Sequence, residues 1–379
     1  MSKKIKLIHF ITHLPIGGAQ DNTLYTLELL DKKKYDIYLC CNFKGELVGR
    51  AKRIKHIKLI NVPYMQRDIN LYDDILAFFK IYKILKEGSF DIIHTHSSKA
   101  GLIARVAAKL NKVPIIIHTV HGFPFNDFMF YLKRKLFIYI EKLLSKCTDV
   151  LVTVSNLNKQ KIVDLNISNE SKIHNIYSGI DLDLFKDKKD LSFRKKLNIS
   201  SEKLLIGSVG RLSYQKDPIT MINAFKIVSD QFLNAHLVLV GDGILKKEVI
   251  NKLNEFNLNE RVHLTGNIND PWKIYQSIDL FIMSSIYEGL GRSLTEALCC
   301  GVPVVCTEVE GVPEIVKDGI TGLLVKPKDI EGLANGIIES LVNMEDAKKR
   351  ALRGQRFVNK NFSVVKMVED IDTLYSNLI

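Results

Sequence analysis

The chain has 379 residues, which is too long for one ordinary hydrophobic core and fits two domains of usual size. Hydrophobic residues make up 46% of it and charged residues 25%, proportions typical of a soluble globular protein. No apolar run is long enough to cross a bilayer, and the first residues lead straight into a strand-like run, which predicts a cytoplasmic protein. The formal net charge of +12 predicts an anionic partner: a nucleotide, a nucleic acid or a membrane surface.

The cysteines indicate a reduced interior. All six lie in apolar segments, and no two of them have Cys-x-x-Cys spacing. This pattern argues against a zinc-cysteine site and against a disulfide framework. The residues are Cys40, Cys41, Cys147, Cys299, Cys300 and Cys306.

Strand-like runs alternate with helical patterns along the whole chain, which predicts βαβ units in parallel sheets. A turn signal near residues 178–181 separates two such series. We therefore predict an α/β protein with two Rossmann-like, doubly wound domains, 1–178 and 179–361, and a final helix, 362–379, that crosses back to the first domain. The predicted strands are 5–11, 36–42, 57–62, 90–95, 113–118, 149–154 and 172–177, then 203–209, 235–240, 261–265, 279–284, 303–306 and 322–325.

Candidate binding residues follow these strands. Ligands bind at the carboxyl ends of the strands in open parallel sheets, so this placement favours one cleft between two domains. The candidates are Gly17 and Gly18, His96, His121, Arg211, Gly243 and Glu288.

The segment after strand 279–284 is the most informative. It places Glu288 in a glycine-punctuated turn and Glu296 in the helix that follows. Gly289 and Gly291 allow a close backbone approach to a ligand, and the start of the helix favours an anion. The two glutamates are therefore expected to contact different hydroxyls of an extended ligand. The plain alternative is a capped helix with a solvated Glu296.

The loop after strand 203–209 carries Arg211 and Lys216. A planar guanidinium and a compact ammonium together suit a diphosphate leaving group. The alternative is two solvated loop charges.

These motifs resemble the retaining glycosyltransferases of family 4, whose signature is Glu-x7-Glu followed by Ala-Leu-x-x-Gly-x-Pro-Val. The resemblance implies the GT-B fold, with two Rossmann-like domains facing across a cleft and the nucleotide held mostly by the second. It implies transfer of a hexose or N-acetylhexosamine from a nucleotide-diphosphate sugar, with a UDP-sugar expected, and with retention at the anomeric carbon. The matching residues are Glu288, Glu296, Ala297, Leu298, Gly301, Pro303 and Val304.

The resemblance also implies roles for individual residues. Arg211 and Lys216 would stabilise the departing diphosphate, Glu288 would hold the donor sugar and Glu296 the ribose. His121, preferred over the neighbouring His118, would contact the sugar. Further donor-binding residues would be Gly17 and Gly18 in a Gly-Gly-x-Glu-like loop with Gln20 in place of Glu, Gly243 in a Gly-x-Gly turn, and Gly289, Leu290 and Gly291.

For the acceptor, His96, Ser97 and Lys99 are candidates, because a lysine at a helix start suits an anionic group such as a phosphate. His94 and His96 alternate on one strand, but no nearby carboxylate or cysteine completes a tetrahedral set, so we expect no metal. The Asp-x-Asp at 181–183 lies in the predicted linker and is interpreted as structural. We therefore expect neither a cofactor nor an obligatory divalent cation.

The segment 128–146 interleaves aromatic and basic residues. It fits an interfacial amphipathic helix and an ordinary core helix with a basic solvated face equally well. With the net charge, it suggests an acceptor linked to polyprenyl diphosphate at the inner face of the cytoplasmic membrane, where the protein would lie peripherally. Such an acceptor would belong to the synthesis of a cell-surface polysaccharide, lipopolysaccharide or capsule.

Two other functions remain open from the sequence. A sugar-nucleotide epimerase of the same fold would share the cleft but would need an acid-base set. A basic nucleic-acid-binding protein would explain the charge. No recognised binding module is present, however, so no nucleic-acid partner is expected.

Overall fold

The computed structural model describes residues 3–126, 128–185, 191–268, 270 and 272–379. Two compact units make up the chain. The first comprises Met1–Gly179 with Val364–Ile379, and the second comprises Ile180–Ser363.

The first unit contains a parallel sheet of seven strands in the order β3-β2-β1-β4-β5-β6-β7. The strands are β1 Ile5–His13, β2 Tyr35–Asn42, β3 Ile57–Asn61, β4 Ile92–His96, β5 Ile115–Val120, β6 Val150–Thr153 and β7 Ile173–Asn175. The helices are α1 Gly18–Leu29, α2 Val48–Arg53, α3 Leu71–Gly88, α4 Ser98–Leu110, α5 Tyr131–Ser145, α6 Asn156–Asp164 and the returning α15 Val364–Leu378, with one 3₁₀ turn, Glu170–Lys172.

The second unit contains a parallel sheet of six strands in the order β10-β9-β8-β11-β12-β13. The strands are β8 Leu204–Val209, β9 Ala235–Val240, β10 Val262–Gly266, β11 Leu280–Met283, β12 Val304–Thr307 and β13 Leu323–Val325. The helices are α7 Ser192–Lys196, α8 Pro218–Gln231, α9 Lys246–Glu255, α10 Trp272–Tyr275, α11 Arg292–Cys299, α12 Val312–Ile315, α13 Ile330–Val342 and α14 Met344–Asn361.

Each predicted strand overlaps one of these strands, and both sheets are doubly wound. The predicted α/β class with two Rossmann-like domains is therefore confirmed. The sequences of the strands are near-continuous apolar runs because helices cover both faces of a parallel sheet. In β11, for example, all four residues are buried.

Strand β4 departs from this apolar pattern. All five of its residues are buried, yet His94, Thr95 and His96 are polar. Buried polar groups require hydrogen-bond partners, so the side chains of this strand must form hydrogen bonds in the interior as well as pack there.

In each sheet the strand order reverses once, between β1 and β4 in the first unit and between β8 and β11 in the second. Two neighbouring loops diverge at such a point and leave a crevice at the carboxyl ends of the strands. Both crevices are lined by residues that the sequence singles out.

Candidate functional site

Two cationic side chains lie in the loop after β8. Arg211 is exposed, and its guanidinium donates a hydrogen bond to Gln215 Oε1 at 3.2 Å. The stem of Lys216 packs over Gly210, where a Cβ atom would lie 3.2 Å from Lys216 Cε. The two cations therefore lie on one short loop at the reversal point of the second sheet.

Both cations line one concave pocket of about 320 Å³, a volume that includes space open to solvent. Its floor is formed by the ends of β8, β9 and β11, and Ser284 and Ser285 lie on its β11 side. Two positive charges in one concave pocket suit a phosphorylated ligand.

Glu288 lies beside Lys216, as a buried carboxylate with fixed partners. Its Oε1 accepts hydrogen bonds from Lys216 Nζ and, at 2.6 Å, from Ser285 Oγ. Its backbone N–H donates to Glu310 Oε2 at 3.0 Å. Only 6% of Glu288 is exposed, so this carboxylate is held in one orientation.

The loops after β8 and β11 are joined by further hydrogen bonds. The Ser284 hydroxyl lies 2.8 Å from the carbonyl oxygens of both Lys216 and Asp217, which share its single proton. The Ile286 N–H donates to the Gln215 carbonyl at 2.9 Å, and Gln215 Nε2 donates to the Tyr287 carbonyl at 3.1 Å. The cations and Glu288 therefore belong to one rigid scaffold.

The glycine turn closes this scaffold and begins α11. Gly291 has φ 95°, a left-handed conformation that glycine adopts without strain, and it is the N-cap of the helix. Leu290 is buried beneath the turn, whereas Gly289 is partly exposed. The predicted donor-binding residues of this turn thus lie next to Glu288 and lead directly into α11.

Glu296 lies one turn inside α11. It is also buried, and each of its two carboxylate oxygens has a hydrogen-bond partner. Its Oε1 accepts from Arg292 Nε and its Oε2 accepts from the Tyr275 hydroxyl, both at 2.8 Å. Burial, reinforced by the nearby carboxylate, raises the pKa of Tyr275 well above its usual range, so the phenol remains a donor. Each carboxylate oxygen accepts more than one hydrogen bond, so Glu296 can also accept from a ligand hydroxyl.

Gly241 and Gly243 follow β9 and leave no space for side chains. A Cβ atom on Gly241 would lie 2.1 Å from the Gly210 carbonyl oxygen, and one on Gly243 would lie 2.2 Å from that of Leu212. The Leu212 N–H donates to the Asp242 carbonyl at 3.1 Å. Gly243 therefore shapes the Arg211 loop through the backbone.

In the first unit, Gly17 is the N-cap of α1, and Gly18 is the first residue of that helix. A Cβ atom on Gly17 would lie 2.7 Å from Gln20 Oε1. The loop that follows β1 is adjacent to the end of β4, where His96 and Ser97 lie.

The candidate acceptor residues are already engaged within the unit. His96 is 3% exposed, and Ser97 Oγ shares a hydrogen bond of 2.8 Å with Thr12 Oγ1. Lys99 forms an ion pair of 2.5 Å with Asp74 on α3 and donates to the Asp68 carbonyl. The lysine charge predicted to meet an acceptor phosphate is thus balanced by a neighbouring carboxylate.

His121 follows β5, and its Nε2 lies 3.1 Å from His96 Nδ1. His118 is buried and bonds to the Thr95 hydroxyl at 2.8 Å. His9 is not among the predicted site residues, yet it is paired in register with His94 across β1 and β4. Only the strand pairing reveals this contact, because the two histidines are far apart in sequence.

Two family models match the chain. The model of glycosyltransferase family 4 matches residues 16–184, and the model of group 1 glycosyl transferases matches residues 189–357. Over 385 aligned residues the chain is 32% identical to the Escherichia coli UDP-Gal:α-D-GlcNAc-diphosphoundecaprenol α-1,3-galactosyltransferase, with 99% of this chain and 98% of the relative covered. The chain belongs to glycosyltransferase family 4.

The chain is also similar to a second curated relative and, in fold, to two solved structures. It is 28% identical to the Staphylococcus aureus capsular polysaccharide biosynthesis glycosyltransferase CapM, with 100% of this chain and 98% of the relative covered. The crystal structure of HepE from Anabaena with UDP and glucose superposes with a TM-score of 0.84 at 19% identity, covering 98% of this chain and 99% of that one. Sucrose-phosphate synthase from Thermosynechococcus elongatus superposes with a TM-score of 0.83 at 20% identity, covering 99% of each chain.

These similarities confirm the GT-B assignment and show that the chain is a glycosyltransferase. Its relatives are named as transferases, which favours transfer over the epimerase alternative. Among the described residues, no helix is both long and apolar enough to span a membrane.

Proposed function

We propose that the enzyme transfers a hexose or N-acetylhexosamine from a UDP-sugar, with retention, to a hydroxyl of a glycan linked to polyprenyl diphosphate. The observation that carries this proposal is the pair of cations, Arg211 and Lys216, on one loop beside the buried carboxylate of Glu288. The Escherichia coli relative, by its name, uses UDP-galactose and an acceptor of this type.

The chemistry follows from the charges of the site. As the bond between the anomeric carbon and the diphosphate breaks, negative charge grows on the leaving group, and Arg211 and Lys216 neutralise it. Lys216 is ion-paired with Glu288, so a diphosphate that binds there shares the ammonium with a carboxylate. In this proposal the same carboxylate also accepts a hydrogen bond from a hydroxyl of the donor sugar.

The remaining roles complete the proposal. Glu296 accepts from the ribose, and the Gly289–Gly291 turn lets the backbone approach the nucleotide. His121 contacts the sugar, and Gly17 and Gly18 direct backbone N–H groups at the start of α1 towards phosphate. We propose no cofactor, no obligatory divalent cation and no nucleic-acid partner. Transfer from a UDP-sugar to such an acceptor, with the anomeric configuration determined, tests the proposal.

We propose that the lipid-linked acceptor is reached through a membrane-docking surface on α5. Five of its large apolar or aromatic side chains are exposed by between 44% and 65%, whereas only Ile138, Leu144 and Ser145 of this helix are buried. Basic residues alternate with them, which suits anionic lipid headgroups. The exposed apolar residues are Tyr131, Leu132, Leu136, Tyr139 and Leu143, and the basic residues are Lys133, Arg134, Lys135 and Lys142.

A second apolar cluster at the start of α3 supports the same proposal. Ile69, Leu71 and Tyr72 are each more than 70% exposed. Helices α3 and α5 both pack beside α4, and both begin at the carboxyl edge of the first sheet. This second cluster could not be predicted from the sequence, because its apolar residues resemble the start of an ordinary amphipathic helix.

Vesicle binding tests the surface. Combining Leu132→Ser, Leu136→Ser and Tyr139→Ser removes three apolar contacts, so we expect binding to phosphatidylglycerol vesicles to fall about tenfold or more. A matched triple variant at Leu233, Ile244 and Val342, all exposed in the second unit, should bind within about twofold of wild type. Co-sedimentation measures both variants. Equal binding by the two, or no binding by the wild type, would contradict the proposal.

A further inference from the structure

Four buried side chains in the first unit form a continuous chain of hydrogen bonds that ends at the partly buried His121. From the returning helix α15, the Tyr375 hydroxyl lies 2.5 Å from His94 Nδ1 and 3.3 Å from His9 Nε2. His9 Nδ1 lies 2.9 Å from His96 Nε2, and His96 Nδ1 lies 3.1 Å from His121 Nε2. Five side chains from β1, β4, α15 and the loop after β5 are thus linked in series.

At neutral pH each imidazole ring in this hydrogen-bond chain is uncharged. Burial lowers the pKa of His9 to about 3 and that of His121 to about 4. Burial also lowers the pKa values of His94 and His96 well below their usual range, and it raises that of Tyr375 well above its own. A neutral imidazole has one donor nitrogen and one acceptor nitrogen, so the bonds of the chain constrain one another.

Only two proton arrangements satisfy all four bonds. If Tyr375 donates to His94, then His9 donates to Tyr375 from Nε2, His96 donates to His9, and His121 donates to His96 from its own Nε2. If Tyr375 donates to His9 instead, every bond reverses, and His121 Nε2 becomes an acceptor. The two arrangements leave His121 Nδ1, the nitrogen outside the chain, as an acceptor or as a donor respectively.

The distances favour the first arrangement. A phenol is a stronger acid than a neutral imidazole N–H, so the short contact of 2.5 Å is the one across which the Tyr375 hydroxyl donates. The longer contact of 3.3 Å is then the one in which His9 donates to the phenol oxygen. In this arrangement His94 carries its proton on Nε2, which donates to the Thr119 hydroxyl at 2.6 Å.

We propose that Tyr375 is a positioning residue that fixes the tautomer and orientation of His121 through His9 and His96. In this state His121 Nδ1 is an acceptor, and it receives a hydrogen bond from a hydroxyl of the sugar substrate. The inference rests on the proposed function, because that function places His121 at the sugar. It also assigns α15 a second role, because this helix supplies the phenol of Tyr375 as well as packing in the first unit.

A metal ion is the competing explanation for this cluster. Ligand nitrogens of His9, His94 and His96 all lie within 4.8 Å of one another, close enough to share one ion. An ion there would replace the hydrogen bonds between the rings. Metal content is therefore measured alongside the tautomers.

The test compares Tyr375→Phe with Tyr35→Phe. Each variant removes one tyrosine hydroxyl that takes part in a hydrogen bond of α15. The Tyr35 hydroxyl donates to Asp372 Oδ1 on this helix at 2.5 Å. Only Tyr375→Phe breaks the hydrogen-bond chain that leads to His121. Imidazole ¹⁵N spectra should show His121 protonated at Nε2 in wild type and in Tyr35→Phe, and a mixture of tautomers in Tyr375→Phe. We expect kcat of Tyr375→Phe to fall about tenfold with the KM for the donor within about twofold.

His9→Phe cuts the chain at a second point and should reproduce this result if Tyr375→Phe does not fold. An unchanged His121 tautomer in a folded chain-breaking variant, or stoichiometric metal in the wild type, would overturn the proposal. The spectra do not require turnover. A tautomer change in an enzyme that fails to use UDP-sugars would therefore refute the proposed function and leave the hydrogen-bond chain standing.

Discussion

Replacing Arg211 with alanine is expected to lower kcat about 10²- to 10³-fold, the loss typical of removing one donor that stabilises transition-state charge. Arg211 lines the pocket with Lys216, and the leaving diphosphate carries its greatest negative charge as the glycosidic bond breaks. Turnover of a UDP-sugar, measured with saturating donor, reports this loss. UDP affinity, measured by calorimetry, should also fall because the product retains the diphosphate.

Two further variants test whether the effect of Arg211→Ala is specific to the proposed diphosphate site. Glu296→Gln keeps an acceptor oxygen and the bond from the Tyr275 hydroxyl, so we expect it to lower turnover far less. Lys226→Ala removes an exposed cation that pairs with Asp230 on α8 and should leave turnover unchanged. Equal, small effects of Arg211→Ala and Glu296→Gln would contradict the assignment of the diphosphate site.

Glu288→Gln is expected to separate turnover from nucleotide binding. The amide still accepts from Ser285, but it carries no negative charge opposite Lys216, and it is a weaker acceptor for a sugar hydroxyl. We expect kcat to fall about 10²-fold. UDP affinity should stay equal or rise, because Lys216 is released from its ion pair and becomes fully available to the diphosphate.

The control for this variant is Glu255→Gln, which removes an exposed carboxylate that pairs with Lys252 on α9. It should change neither quantity. If Glu288→Gln lost UDP affinity in proportion to kcat, Glu288 would have a structural role in holding the Lys216 loop. The proposed contact with the donor sugar would then be refuted.

The fold could be predicted because parallel strands are covered on both faces and therefore appear as apolar runs. Strands β8 and β11 were located by such runs, and their loops by glycine and charge. The Glu-x7-Glu motif then identified the turn and the helix that hold Glu288 and Glu296. Each of these signals lies within about twenty residues of sequence, which is the range over which periodicity and turn chemistry act.

The contacts that orient the site could not be predicted in this way. Lys216 and Glu288 meet because β8 and β11 are neighbours in the sheet, and Glu310 reaches the Glu288 N–H from the next loop along. The sequence shows all three charges but not their pairing. The same limit explains why Lys99 was expected to be available to an acceptor, whereas it is paired with Asp74.

Two further features depended on tertiary structure. The His9–His94 contact needs the register of β1 against β4, and the Tyr375 contact needs α15 to return to the first unit. The segment 128–146 gave equal support to a core helix and an interfacial helix, since both have the same periodicity. Periodicity does not show which side chains are exposed: Leu132 and Leu136 are, whereas Ile138 is buried in the core, and this exposure supports the proposed docking surface.

The most direct test of the proposed function is transfer itself. The purified enzyme is incubated with UDP-galactose, UDP-glucose or UDP-N-acetylhexosamines and a sugar linked to polyprenyl diphosphate, and the product is analysed by mass spectrometry and NMR. We expect one UDP-sugar to yield a product lengthened by one residue, with the anomeric configuration of the donor retained, and Arg211→Ala to yield almost none. An inverted linkage, or transfer from other nucleotide sugars alone, would contradict the proposal.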